Sequence, residues 1–233
     1  MHSGESARGA ARQQEPALSA IREAIMQRTD DALAARPKSV SNDSMSTASD
    51  FLHLSPRELR AELSRGHAID PAALDNLEFK GVSLGLPDLI ERLTWKKFMK
   101  TFHRDPASGL LRGWNVRIQQ TPLEDQRWEP MLKAGEVFSF GHYQVLPLEG
   151  YRVPGPALRA GLMIDYGRGG NKPLDVMRRV RDPLVAVEQG STELLLGWSY
   201  LDLGWTQLST PSFFTLERYR ELSHHAHPPA LPR

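Results

Sequence analysis

The sequence contains no cysteine, and this absence removes several kinds of chemistry. Without a thiol the chain forms no disulfide, no thiolate nucleophile and no zinc site built on Cys. It also lacks any apolar run near the ~18 residues needed to span a bilayer, and residues 1–16 contain no apolar core of a signal peptide. We therefore expect a soluble, cytoplasmic protein without a membrane span.

An excess of charge of one sign is absent as well. The formal net charge is +1, which argues against a dedicated nucleic-acid-binding protein. Strong catalytic, cofactor and metal motifs are missing too, so we predict neither a cofactor nor a metal. Residues 167–172, GRGGNK, superficially suggest a phosphate-binding loop, but they lack the Walker spacing and have no Ser or Thr after the Lys. That stretch is typical of a hairpin loop.

The 233 residues, 40% of them hydrophobic, suffice for one domain with appendages or for two small domains. Residues 1–50 have the composition of a disordered or helical extension, with one short helix over residues 17–35 and a Ser-rich linker. Met45 lies in that linker, and two interpretations stay open: translation starts there, or residues 1–44 form a genuine arm. The remaining predicted divisions are a helical lead-in with one strand (51–95), a barrel (96–220) and a disordered tail (221–233).

A helix start is encoded in the lead-in. Ser55 is a good N-cap, Pro56 suits the first helical position, and Glu58 completes a capping box. The apolar residues Leu59 and Leu63 follow at helical spacing. We predict a short helix from Pro56 that ends near Gly66.

The rest of the chain has the pattern of short strands. From Trp114 the sequence alternates, with Val116 and Ile118 on the same side as Trp114 and polar residues between them. Similar segments recur at intervals of roughly ten residues, separated by Gly, Pro and Asp and not by helices. We therefore predict a mainly β fold: an antiparallel up-and-down barrel of 8–10 strands with short N-terminal helices.

Residues 79–218 resemble calycin-like barrels, the grouping of lipocalins and fatty-acid-binding proteins, and also uncharacterised bacterial barrel domains. The resemblance depends on an introductory helix before Gly113-Trp114 and on a series of hairpins ending in residues 211–217, PSFFTLE. Lipocalins carry Gly-X-Trp near the first strand, whereas Gly113-Trp114 and Gly197-Trp198 lack the intervening residue. The resemblance thus implies a barrel with a lumen and assigns no ligand contact.

Large residues on one parity of the central strands predict a binding pocket in the lumen. We predict a non-catalytic barrel that binds a small apolar ligand, because core and pocket are the same surface in a barrel. His142 and the Tyr200 hydroxyl would orient the polar end of the ligand. The predicted lining residues are Trp114, Val116, Phe140, His142, Trp198, Tyr200 and Phe213.

Two other functions remain open. The first is an isomerase- or cyclase-like enzyme on the same barrel, with His103 or His142 as general base and Asp165 as its orienting partner. The second is a protein-interaction module that docks through its N-terminal helices.

Several charged groups are predicted to be solvent-exposed. One group is a cationic patch or, as strand alternation favours, the charged outer face of a strand: Lys96, Lys97, Lys100, His103, Arg104, Arg112 and Arg117. We interpret Arg178, Arg179 and Arg181, with Asp175 and Asp182, in the same way. His224, His225 and His227 belong to a Pro-rich tail with nothing to orient imidazoles as metal ligands.

Overall fold

The computed structural model of the protein describes residues 47–85 and 96–230. The predicted helix over residues 17–35 lies outside these ranges, and so do residues 86–95 of the predicted helical lead-in. The described chain opens with a 3-10 turn (Ala48–Phe51), helix α1 (Pro56–Arg65) and a second 3-10 turn (Pro71–Leu74). The predicted capping box is confirmed: the Ser55 amide donates to the Glu58 carboxylate at 2.8 Å, and the Glu58 amide donates to the Ser55 hydroxyl.

Eight strands close into a barrel, and a short hairpin lies within one connection. Around the barrel the order is β1-β10-β9-β8-β7-β6-β3-β2, every pair is antiparallel, and β1 closes the ring between β2 and β10. The predicted up-and-down barrel is thereby confirmed. The strands are β1 Leu77–Leu84, β2 Lys97–Arg104, β3 Leu111–Val116, β4 Leu132–Lys133, β5 Glu136–Val137, β6 Ser139–Pro147, β7 Leu162–Asp165, β8 Val180–Ala186, β9 Leu194–Asp202 and β10 Gln207–Glu221.

Two predicted boundaries differ from the structure. Strand β1, assigned to the lead-in, is a full member of the barrel. The last predicted strand, at residues 211–217, is part of the longer strand β10 (Gln207–Glu221), whose register shifts between Ser209 and Phe213. A register irregularity bends a strand without ending it, so the Thr210-Pro211 sequence interrupts the alternation and leaves the strand intact.

Contacts that cross the barrel identify its lumen. Strands β2 and β8 are four positions apart in either direction around the eight-stranded ring. Nevertheless, Lys100 Nζ on β2 lies 3.2 Å from Asp182 Oδ2 on β8. Only side chains that point inwards can meet in this way, so the parity of Lys100 is the lumen parity. Its cross-strand neighbours Phe79 and Asn115 share it.

The alternation then places the large aromatic residues of the neighbouring parity outside the lumen. Trp114 and Val116 flank Asn115, and Trp198 follows Gly197, which pairs with the lumen residue Phe214. These outer side chains are nevertheless buried, with Trp114 and Trp198 both 0% exposed. The predicted inward orientation of this parity is therefore wrong, although its burial was predicted.

The outer face is buried because other segments cover it. Helix α1 packs Leu59 and Leu63 against strands β9 and β10, and residues 148–158 and the C-terminal tail cover other parts. The lumen is narrow by comparison: a Cβ on Gly197 would lie 2.2 Å from the Phe214 ring. A glycine opposite a large ring lets a small barrel fill with side chains.

Candidate functional site

The lumen contains a buried polar network centred on Lys100. The Lys100 ammonium donates to Asn115 Oδ1 at 3.0 Å, to the Tyr166 hydroxyl and to Asp182 Oδ2. The Tyr166 hydroxyl in turn donates to Asp182 Oδ2 at 3.1 Å. Lys100 was predicted on a charged solvent face and is 2% exposed. That prediction is wrong because the pattern gives alternation but not which parity faces inwards.

Aromatic rings enclose the ammonium group. The centroids of Phe98, Tyr143, Tyr166 and Phe214 lie 5.0–5.7 Å from Lys100 Nζ. Burial lowers the pKa of Lys100, and the neighbouring Asp182 carboxylate opposes this change. Burial also raises the pKa of Tyr166 well above its ordinary value. The middle of the barrel is thus occupied by side chains that form one hydrogen-bonded network around the ammonium group.

Most of the residues predicted to line an apolar pocket belong instead to one buried cluster on the outer face of the barrel. Trp198 contacts both Tyr200 and Phe213, with ring centroids 5.7 and 6.2 Å apart. Trp114, in the same cluster, contacts His142, with ring centroids 6.1 Å apart. Val116 is buried in the same outer cluster, and Phe140 pairs in register with the lumen residue Asn115. A binding role for these residues stays a prediction.

His103 and His142 lie beneath the C-terminal tail. The ring of His103 contacts that of His225 at 4.5 Å, and burial, with His225, lowers its pKa. Burial, with the positive charges of Arg112 and His227, lowers the pKa of His142 to about 4. In the described part of the chain, the Asp165 carboxylate contacts neither histidine. The predicted general-base pair is therefore not assembled in this structure.

The tail predicted to be disordered runs along the barrel from Leu222 to Ala230. Leu222 donates its amide to the Asn76 carbonyl, and Ala230 donates to the Gly170 carbonyl. His224 accepts a hydrogen bond from Trp114 Nε1 at 3.2 Å. Although burial by itself raises the pKa of Glu78, the neighbouring His224 ring, 3.6 Å away, and hydrogen bonds from Ser223 and Arg220 lower it to about 2. The composition of the tail conceals these contacts, because each depends on a partner far away in sequence.

Asp165 lies in a different place, at the wall of a cleft of about 490 Å³. Its Oδ1 lies 3.1 Å from Arg181 Nε and accepts the Gly167 amide, and its Oδ2 accepts the Tyr151 hydroxyl at 2.8 Å. Arg168 Nε lies 3.7 Å from Asp165 Oδ2. The cleft is lined by Tyr151, Asp165, Gly167, Arg168, Pro173, Arg178, Arg179, Arg181 and Asp202.

The connection from β7 to β8 builds this cleft. Asp165 caps the 3-10 turn Tyr166–Arg168, and Asp175 caps the 3-10 turn Val176–Arg179 through the Met177 amide. Asn171 anchors the loop by accepting the His142 amide and donating to the His142 carbonyl. A Cβ on Gly169 would lie 1.8 Å from that carbonyl, so this close approach requires glycine. Residues 167–172 are therefore a structural loop, as predicted.

Positive charge predominates in the cleft. Four arginines face two aspartates, and Asp165 is already matched by Arg181, whose Nη1 donates to the Arg178 carbonyl. Asp202 accepts the Gly204 amide within its own turn. No carboxylate of the described ranges forms an ion pair with Arg178 or Arg179. Their guanidinium groups therefore have unused donors beside an open volume.

The sequence gives part of the signal for this cleft. Arg178, Arg179 and Arg181 were noted there as a basic group but interpreted as a solvent-exposed strand face. The contribution of Tyr151 was missed, because it depends on residues 148–161 folding back along the barrel. Burial and the hydrogen bond to Asp165 raise the pKa of Tyr151 to about 12, so it remains a neutral donor.

The same ranges offer neither a metal site nor a membrane-spanning helix. The described residues hold no group of three or more His, Asp or Glu side chains suited to a metal ion. Nor does any described helix have the length and apolarity to cross a membrane. No family model, curated protein or solved structure matches the chain.

Proposed function

We propose that this protein is a non-catalytic binding barrel whose ligand is a small molecule bearing an oxyanion, either a phosphate ester or a carboxylate. The observation that carries the proposal is the cleft beside Arg178 and Arg179, which offers guanidinium donors without matching carboxylates. Arginine binds planar or tetrahedral oxyanions with paired hydrogen bonds. Arg181, held by Asp165, is a fixed part of the cleft beside the other arginines.

The up-and-down topology agrees with the calycin-like resemblance, and we propose a barrel of that broad type. The binding mode we propose is not the predicted one. An apolar ligand in the lumen would have to displace the Lys100–Asp182 pair, and the outer aromatic groups are covered by α1, loops and tail. Helix α1 likewise buries its apolar face on the barrel, which leaves it unavailable for docking a partner.

Calorimetric titration of the full chain with inorganic phosphate, pyrophosphate and citrate tests the proposal. We expect binding to at least one anion that weakens as salt rises, since exposed charges are screened. The double variant Arg178→Ala/Arg179→Ala should lose at least ~10-fold in affinity, which corresponds to about 1.4 kcal/mol.

Arg57→Ala in α1 is the matched control, because Arg57 is exposed and belongs to another element. It should bind like the unmodified protein. Absence of heat with all three anions, or an equal loss in both variants, would contradict the proposal. The same titrations separate phosphate from carboxylate ligands.

A further inference from the structure

Among the described residues, four large apolar side chains project from one end of the barrel. In an up-and-down barrel the connections that follow β3, β7 and β9 all lie at the same end. Leu132 in the first is 64% exposed, Leu174 and Val176 in the second are 99% and 55% exposed, and Trp205 in the third is 86% exposed. Of the other large apolar residues exposed in the described ranges, Leu110 belongs to the opposite end.

The arrangement of these side chains limits what can cover them. They extend from three separate connections, so a rigid protein surface would have to match three loops at once. A lipid surface needs none, because each side chain enters the headgroup region independently. Leu is favourable in that environment, and Trp concentrates at the membrane interface.

Charge at the same end fits an anionic partner. The excess of positive charge lies in the connection of Leu174, where Arg168, Lys172, Arg178 and Arg179 outnumber the single carboxylate of Asp175, whereas acidic and basic residues nearly balance in the connection of Leu132. Basic residues near a bilayer surface are attracted by anionic headgroups, within about a Debye length. The phosphodiester of a lipid presents the same oxyanion that the cleft is suited to bind.

We propose that this end of the barrel docks on an anionic bilayer, with Trp205 and Leu174 inserted at the interface and Arg178 and Arg179 on lipid phosphates. The inference rests on the proposed anion-binding function and adds to it the source of the phosphate. The protein lies on the surface, and no part of the docking requires a spanning segment.

Co-sedimentation with vesicles tests the inference. The full chain should bind vesicles of phosphatidylcholine and phosphatidylglycerol at least ~10-fold better than vesicles of phosphatidylcholine alone, and less at high salt. The variant Trp205→Ser/Leu174→Ser should lose at least ~10-fold of that binding. Leu110→Ser, at the opposite end, is the matched control and should bind normally. Failure of the unmodified protein to bind, or equal losses in both variants, would overturn the inference.

A parallel titration with inorganic phosphate separates this inference from the proposed function. Phosphate binding by Trp205→Ser/Leu174→Ser at the unmodified affinity, with vesicle binding lost, supports both. If the unmodified protein binds phosphate but no vesicles, the inference of bilayer docking is overturned and the proposed anion cleft stands. If the unmodified protein binds neither phosphate nor vesicles, both the bilayer inference and the proposed anion-binding function are overturned. Sedimentation velocity tests whether a second copy of the chain covers this end instead. A dimer that dissociates in Trp205→Ser/Leu174→Ser would assign this end to a second copy and overturn the inference of bilayer docking.

Discussion

Lys100 Nζ and Asp182 Oδ2 lie 3.2 Å apart across the lumen, and each side chain is only 3% exposed. A buried ion pair is stable only when its remaining donors and acceptors are satisfied. Asn115 and Tyr166 supply such partners, while Asp182 Oδ1 accepts no hydrogen bond from any described residue. Removal of one partner would therefore leave an uncompensated charge among aromatic rings.

The first prediction concerns this pair. Lys100→Met and Asp182→Leu should each lower the free energy of unfolding by about 3–5 kcal/mol, because each leaves the other charge buried and unpaired. The double variant should lose much less than the sum of the two. Urea denaturation of the four proteins measures the coupling.

The exposed pair Arg218–Glu193, with 41% and 70% of its side chains exposed, provides the matched control. Glu193→Gln should change stability by no more than about 1 kcal/mol. Costs that simply add for Lys100 and Asp182 would show that the two side chains do not interact in solution.

The strands and the barrel were predictable because they depend on local patterns. Turn residues, the period of two and the Ser55–Glu58 capping box are all encoded within a few residues. The side that faces inwards is not local information. Trp114 and Asn115 are both buried, so apolar character does not separate lumen from outer face in a barrel that is covered on the outside. Small residues such as Gly197, opposite Phe214, were the signal that marks the lumen.

The cleft was harder to predict for a similar reason. Arg181 and Asp165 are sixteen positions apart in the chain and meet through the pairing of β7 with β8. Tyr151 reaches them from a Pro/Gly-rich connection with no periodic pattern. Sequence patterns identify the basic residues, whereas the open volume between them depends on tertiary packing.

The second prediction is a loss of stability on mild acidification. The pKa of His142 falls from about 6.5 to about 4 on folding, so between these values the unfolded chain binds a proton that the folded protein excludes. The stability that the neutral, buried His142 contributes is therefore complete above about pH 6.5 and is lost as pH falls towards 4. Arg112, His227 and the Trp114 ring face this imidazole. The denaturation midpoint should therefore decrease over that interval.

Substitution of the imidazole isolates its share of the pH dependence. His142→Gln should flatten the slope between pH 6.5 and 4, whatever its effect on stability at pH 7. His53→Gln is the matched control, because His53 is exposed, and it should keep the slope of the unmodified protein. An unchanged slope in His142→Gln would assign the acid sensitivity to other groups.

The last prediction concerns the tail that covers Trp114. Leu222 and Ala226 pack against the outer core, Pro228 is buried, and His224 accepts the Trp114 indole hydrogen. Deletion of residues 222–233 should lower the free energy of unfolding by about 2–3 kcal/mol, comparable with exposing one large apolar side chain. Acrylamide quenching of tryptophan emission should rise at the same time, because the indole of Trp114 becomes accessible.

In the background of Trp114→Phe the same deletion should leave quenching unchanged while stability still falls. Equal stability and equal quenching with and without the tail would instead mean that it is solvated, as its composition predicts.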